Sequence, residues 1–193
     1  MNNNIIVFDL ETTADDAHDI TEIGAVALNS KLEVIDRFSE LVNIKRPVDE
    51  KSKLITGITD EMLSKAKDKG VVLTNFTRFV EKQGNIKKAR LSAWGNYFDV
   101  NILRQNMPNF PFSGTAIDVK SLAFMWASLS GHRTDKMSVK IVSEDYMKIP
   151  APKEGYHRAV VDAEQTALIL QRIFKDFSEG VFLSNKTYVK VSI

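Results

Sequence analysis

One stretch near the N-terminus, Ile5-Ile-Val-Phe-Asp-Leu-Glu-Thr-Thr13, constrains the fold more than any other part of the chain. Its first half is apolar and rich in β-formers, which suits a strand buried on both faces in the middle of a sheet. Asp9 and Glu11 follow, one residue apart. Side chains at i and i+2 of a strand share a face, so the two carboxylates look out together. Neighbouring carboxylates repel each other. A shared proton or a divalent cation relieves that repulsion, and hard oxygen ligands suit Mg²⁺ or Mn²⁺. Two solvated acids at a strand end are the other reading, and Asp-x-Glu alone does not separate the two.

The 193 residues show no composition break, which suits one domain with a full core. Hydrophobic residues at 44% and charged residues at 26% are ordinary for a soluble globular chain. There is no cysteine, which excludes disulfides and thiolate metal sites and fits a cytoplasmic protein. Met-Asn-Asn-Asn runs straight into the first strand with no signal-peptide pattern, and no apolar run reaches membrane length, so no membrane partner is expected. A net charge of +1 argues neither for nor against nucleic acid. The basic clusters (Lys45, Arg46, Lys51, Lys53; Lys65, Lys67, Lys69; Lys87, Lys88, Arg90) read as solvated surface rather than a phosphate track.

Residues 20–28 and 33–42 read as two further strands, joined by a turn at 29–32, and make a meander with the first. The link at 12–19 is an acidic loop with Asp15, Asp16, His18 and Asp19, read as solvated. Residues 43–53 read as a basic, Pro-interrupted loop. Thr59 can cap a short helix carrying Asp60 and Glu61 in its first turn. Helices are expected at about 74–83, stopped by Gly84; from about Tyr97 to Pro108; at 121–130; at about 137–147; and at about 158–177. Residues 90–95 and 115–119 give a fourth and a fifth strand, and 186–193 alternate as a terminal strand. Asp118 reads as a helix cap. The fold class expected is α/β, a mixed five-stranded sheet with helices on both faces.

Asp99 and Asp162 each fall in the first turn of an expected helix, where the helix N-terminus favours a carboxylate. That position also lies near the strand tips, where open α/β sheets place ligands. Asp162, Thr166, Ile169 and Ile173 share one helical face. His157 precedes Asp162 by five residues, about 140° around a continuous helix, so it belongs on the preceding loop beside Gly155. Each aspartate has a bland reading as a dipole-stabilising surface residue, and His157 one as an idle loop residue. Taken together, four carboxylates and a histidine suit a two-metal hydrolase, in which paired ions clamp the attacking and leaving oxygens at phosphorus. Histidine is suited to take the proton from the attacking water.

These residues resemble the DEDDh branch of the DnaQ-like 3′–5′ exonucleases, which share a ribonuclease H-like fold. The matching motifs are Phe8-Asp-Leu-Glu-Thr-Thr13, Phe98-Asp-Val-Asn-Ile-Leu103 and His157-Arg-Ala-Val-Val-Asp-Ala-Glu-Gln-Thr-Ala167. Ile23-Gly-Ala-Val26 and Ile55-Thr-Gly-Ile-Thr59 match supporting segments. The resemblance covers about residues 4–176, and the His-x₄-Asp form separates this branch from the tyrosine-using one. It implies two Mg²⁺ or Mn²⁺ ions held by Asp9, Glu11, Asp99 and Asp162, with His157 as general base. It further implies a single-stranded 3′ end as partner and nucleoside 5′-monophosphates as products. Backbone around Leu10 and Thr12 would hold the terminal 3′-hydroxyl, and Ile58 or a neighbour would press on the last bases. Trp94, Asn96 and Phe98 are further candidates for substrate contact, and a place in the core is the other reading of Trp94.

Two departures concern the substrate rather than the chemistry. Ala14 stands where the family often has Gly, and Ala93-Trp-Gly-Asn96 replaces the usual Gly-His-Asn before the second motif. The exonuclease domain is expected to span 1–178, with 179–193 as an extension that offers an extra strand or a site for a protein partner or second copy. A subunit working beside a polymerase and a non-catalytic nucleic-acid-binding module are the competing readings.

Overall fold

A computed structural model describes residues 4–16 and 18–180. β1 (Ile5–Thr12), β2 (Ile20–Leu28) and β3 (Val34–Asn43) form the expected antiparallel meander. β4 (Lys67–Asp68) pairs parallel with the end of β3. On the other side of β1, β5 (Arg90–Ala93) runs parallel to it, and β6 (Ile117–Asp118) runs parallel to β5. The sheet order is β4-β3-β2-β1-β5-β6, which puts β1 in the interior of a mixed sheet. The sequence gives five of these strands. The sixth, Lys67–Asp68, is two exposed residues and too short to carry a period.

The helices are α1 (Glu50–Thr56), α2 (Asp60–Ser64), α3 (Lys69–Lys82), α4 (Asn96–Asn106), α5 (Val119–Leu129) and α6 (Ala159–Ser178), with a π-helical turn at Ile141–Tyr146. They cover both faces of the sheet, as the strand pattern requires. Ile6, Phe8 and Leu10 of β1 pack on one face with Phe76, Phe79 and Val80 of α3 and Val100 and Leu103 of α4. Phe76 is the hub there, with ring centroids 6.0 Å from Phe8 and 5.6 Å from both Phe38 and Phe112. Val7 points to the opposite face with Val26, Leu28, Ala123 and Trp126 of α5, and Ala167, Leu170 and Ile173 of α6. The period of two on β1 therefore sends Asp9 and Glu11 to the α6 face.

α1 lies where the basic segment reads as a loop. Asp49 accepts the Ser52 N–H at 3.0 Å, and Gly57 closes the helix at φ +68°. α3 begins at Lys69 rather than 74, because burial of Val72 and Leu73 draws the Gly70-Val-Val segment into the helix. Of the helix expected at 137–147, residues 139–146 are helical, with Ile141–Tyr146 as a π-helical turn. The terminal strand read at 186–193 lies outside the described residues. Among the described residues no helix is long and apolar enough to cross a membrane.

α6 seats on β2 at Gly24, the register partner of Asp9. A Cβ at Gly24 would lie 2.0 Å from the Val160 backbone nitrogen and 2.1 Å from the Ala159 carbonyl carbon. Only a residue without a side chain allows that approach. Gly24→Ala must push the first turn of α6 off the sheet, and we expect a loss of about 3 kcal/mol or more, at the upper end for overpacked cores. Urea denaturation checks this, and a change below about 0.5 kcal/mol would show that α6 can move without cost.

Candidate active site

The seating of α6 brings together side chains from three parts of the chain. Asp9 and Glu11 stand on β1, with Glu11 the register partner of Glu22. Asp162 is in the first turn of α6, and His157 precedes that helix on the Gly155 loop, as its spacing indicates. The His157 N–H donates to Asp162 Oδ2 at 2.9 Å. His157 has φ +68°, a left-handed conformation that costs a non-glycine residue about 1 kcal/mol or more. Candidate ligand atoms of Glu11, His157 and Asp162 lie within 4.8 Å of one another. Asp9, His157 and Asp162 line one cavity of about 340 Å³, together with Trp94, Ser138, Val139, Lys140 and Tyr156. Asp99 reaches in from the first turn of α4, buried, and accepts the Leu10 N–H at 3.3 Å.

Burial disfavours ionisation throughout this group, and repulsion between neighbouring acids adds to it at Asp9 and Glu11. Burial pushes Glu11 up to about 8, reinforced by the charges of Asp162, Glu22 and Asp99 and opposed by Arg158. Asp99 rises to about 7, mainly through burial, against the lowering effect of the Leu10 N–H. Asp9 is held well above the usual carboxylate range by burial and then by Asp99, Glu11 and Asp162. Asp162 is also raised by burial, although the His157 N–H pulls it back.

Asp162 Oδ1 is buried and has no hydrogen-bond partner. An unsatisfied carboxylate oxygen in a like-charged cluster is costly unless a cation or a proton meets it. The surrounding donors are carboxylate oxygens and one imidazole nitrogen, a hard set that fits a divalent ion of the Mg²⁺ or Mn²⁺ kind. Glu11, His157 and Asp162 lie close enough together to hold one, and Asp9 lines the same cavity.

The other candidates are spread around this centre. Trp94 is half-buried in the cavity wall, and Asn96 starts α4. Phe98 is 51% exposed beside Asp99. Leu10 turns its side chain into the core and its N–H to Asp99, and Thr12 ends β1 half-buried. The expectation for Ile58 is corrected: it is 0% exposed, enclosed with Val48 and Leu63, so its side chain is unable to meet a base. The neighbours on that segment that do reach solvent are Leu54, 86% exposed, and Ile55. In the acidic loop Asp15 and Asp19 are bound by Arg46, at 3.0 and 2.6 Å. Asp118 caps α5, accepting the Lys120 and Ser121 N–H groups.

Sequence reasoning missed Glu22, Arg158, Tyr156 and Lys140. Glu22 carried a usable signal, since it is the one acid within the otherwise uncharged run Ile20-Thr-Glu-Ile-Gly-Ala-Val-Ala-Leu28. A charge in such a strand must find a buried partner. Tyr156 comes from a loop whose course no periodicity shows, and Lys140 lies in the helical segment expected at 137–147, whose packing against this site no local pattern shows.

The sequence model of the family described as Exonuclease (RNase T) matches residues 6–170. The DNA polymerase III PolC-type of Halalkalibacterium halodurans is 31% identical over 189 residues, which are 93% of this chain and 12% of that protein. The chain thus spans about an eighth of the length of this curated relative. The nuclease domain of 3′hExo, a DEDDh family member solved bound to rAMP, superposes with a TM-score of 0.75 at 20% identity, covering 91% of this chain and 93% of that one. Exonuclease X in complex with 5′ overhanging duplex DNA gives 0.66 at 21%, covering 90% and 93%. With the family model matching most of the chain and the sheet of the expected ribonuclease H-like kind, this chain belongs to the exonuclease family of that model, and its motif order is the one by which it resembles the DEDDh branch.

Proposed function

We propose that the chain removes nucleotides one at a time from single-stranded 3′ ends, releasing nucleoside 5′-monophosphates by two-metal hydrolysis. The observation that carries this is the convergence of Glu11, His157 and Asp162 within 4.8 Å at the cavity that Asp9 also lines. In this reading Asp9, Glu11 and Asp162 would hold one ion, and Asp99 would support a second together with Asp9. The ions, when bound, neutralise charge on the reacting phosphate and on the attacking and leaving oxygens. His157 then takes the proton of the attacking water, from a loop position that leaves its ring exposed. The His157 backbone stays fixed to Asp162 while the imidazole turns. A cavity of about 340 Å³ suits a single unpaired nucleotide, and in this reading a duplex end frays before it is cut.

The polymerase relatives favour a second reading, a proofreading unit acting on DNA beside a polymerase. Matched DNA and RNA strands separate the two. RNA degraded as fast as DNA by the chain alone supports a free-standing nuclease. DNA-restricted activity that rises on adding a polymerase supports proofreading.

On a 5′-labelled strand, wild type should give a ladder shrinking from the 3′ end with Mg²⁺ and none with EDTA. Asp9→Ala should lose at least about a thousandfold in rate, the scale for removing a group that acts on the reacting atoms. Equal Mg²⁺ affinity of Asp9→Ala and wild type by calorimetry would sink the ligand assignment.

The clustered acids also set a pH dependence. Each holds its proton more tightly folded than unfolded, where carboxyls titrate near 4. Their stabilising contribution is therefore full below about pH 4 and lost as pH rises through Asp99 at about 7 and Glu11 at about 8. Without metal, the Tm should fall between pH 5.5 and 8.5, Mg²⁺ should restore it most at the higher pH, and Glu11→Gln should flatten the fall. A Tm that rises over this window in EDTA would contradict the shifts.

A further inference from the structure

Glu22, the third residue of β2, is an acid that is fully buried. Its oxygens are filled almost entirely by the two residues that follow His157. Oε2 accepts the Arg158 Nε–H at 3.1 Å and the Ala159 N–H at 3.0 Å, and Oε1 accepts Arg158 Nη2 at 2.8 Å and the Ser39 hydroxyl at 3.4 Å. The forked contact is one that arginine can make and lysine is unable to. The N-cap residue of α6, Arg158, supplies no side-chain cap of its own. The Ala159 N–H, one of the orphan donors at a helix start, is met by Glu22 from the neighbouring strand instead.

His157 is thus held from both sides. Its own N–H is fixed by Asp162, and the chain immediately after it is fixed by Glu22. A histidine at φ +68° persists only where its surroundings over-determine it. We propose that the Glu22–Arg158 pair is the positioning device for His157: neither residue touches the scissile bond, and together they hold the loop so that the imidazole meets the water over Glu11 and Asp162. This rests on the exonuclease reading for the task of His157, but the anchoring itself does not. Arg158 and Glu22 also line a notch of about 450 Å³ with Lys65 and Lys67, so direct contact of Arg158 with a substrate phosphate is the competing account.

The test uses the full chain and Glu22→Gln, which keeps the size and a carbonyl oxygen for the Ala159 N–H but removes the charge. Two readouts are taken, hydrogen exchange of the His157 amide without metal, and steady-state kinetics with Mg²⁺ on a single-stranded oligonucleotide. Exchange at His157 should quicken at least about tenfold while amides of α3 stay protected, which a global loss of stability would not do. The kcat should fall about tenfold to a hundredfold with KM within twofold, the scale of a misplaced catalytic group. Arg158→Lys should repeat the pattern, and in a His157→Ala background Glu22→Gln should cost little more. Unchanged His157 exchange in Glu22→Gln overturns the proposal. So does a rise in KM at constant kcat in Arg158→Lys with Glu22→Gln unaffected, which assigns Arg158 to the substrate. If wild type cuts nothing, the exonuclease reading fails while the exchange data still decide the anchoring.

Discussion

With no side chain at position 24, the backbone at Ala159 and Val160 rests directly on β2, and the meeting of Asp162 and His157 with the acids of β1 follows from that contact. β1 fixes Asp9 and Glu11 on the face where α6 lies. A helix axis normally sits about 10 Å from a sheet, a distance set by intervening side chains. Removing the side chain at the register partner of Asp9 lets the helix start come closer, and its first-turn carboxylate comes with it. A sheet and a helix that would otherwise be separated by apolar packing are joined here backbone to backbone, and the charged groups gather at the rim of that junction.

Such a gathering opposes folding. Asp9, Glu11, Asp99 and Asp162 are all shifted toward the protonated form by burial, and Asp9 and Glu11 also by the neighbouring acids. The fold tolerates them because the apolar clusters on both faces of the sheet are extensive, each fully buried Phe, Ile or Leu contributing about 1.5–3 kcal/mol. Glu22 belongs to the same neighbourhood and is treated differently. It has a guanidinium and a backbone N–H as partners, whereas Asp162 Oδ1 is left without one. A buried acid that is satisfied holds structure, and one that is unsatisfied leaves coordination free for a ligand.

The main site was legible because its residue types obey local geometry. Asp9 and Glu11 share a face by strand alternation, and Asp99 and Asp162 sit in first turns that helix periodicity marks. His157 was placed on its loop by counting residues. What the sequence hid depends on contacts distant in the chain. Glu22 and Arg158 are 136 residues apart, and nothing local to either announces the other. Ile58 was misplaced for a related reason: an apolar residue after Gly57 fits a substrate contact or a small core equally well, and Val48 and Leu63, brought together by α1 and α2, settled it as core. The start of α3 was lost to Gly70, whose low helix propensity was overridden by burial of Val72 and Leu73.

The charge distribution bears on how such a site would grip a nucleic acid. Lys53, Lys65, Lys67 and Lys82 are paired with Asp60, Glu61, Glu40 and Asp36, and Lys45 with Asp68. Exposed pairs of this kind add little stability, but they neutralise the charge that a long phosphate track would need. On the exonuclease reading, attraction is then concentrated at the divalent ions and falls off within about 10 Å in salt. The exposed apolar groups fit that short reach. Tyr97, 83% exposed, and Phe98 stand at the start of α4 beside Asp99, and Leu54 stands on α1, which is tied to the end of β1 through the Ala14 N–H bonds to Asp49 and Ser52. Stacking on such side chains is worth about 1–3 kcal/mol per base and is indifferent to sequence. On that reading a site built this way would hold only the last few nucleotides of a strand, and would release and rebind its substrate unless a partner supplied the remaining contacts.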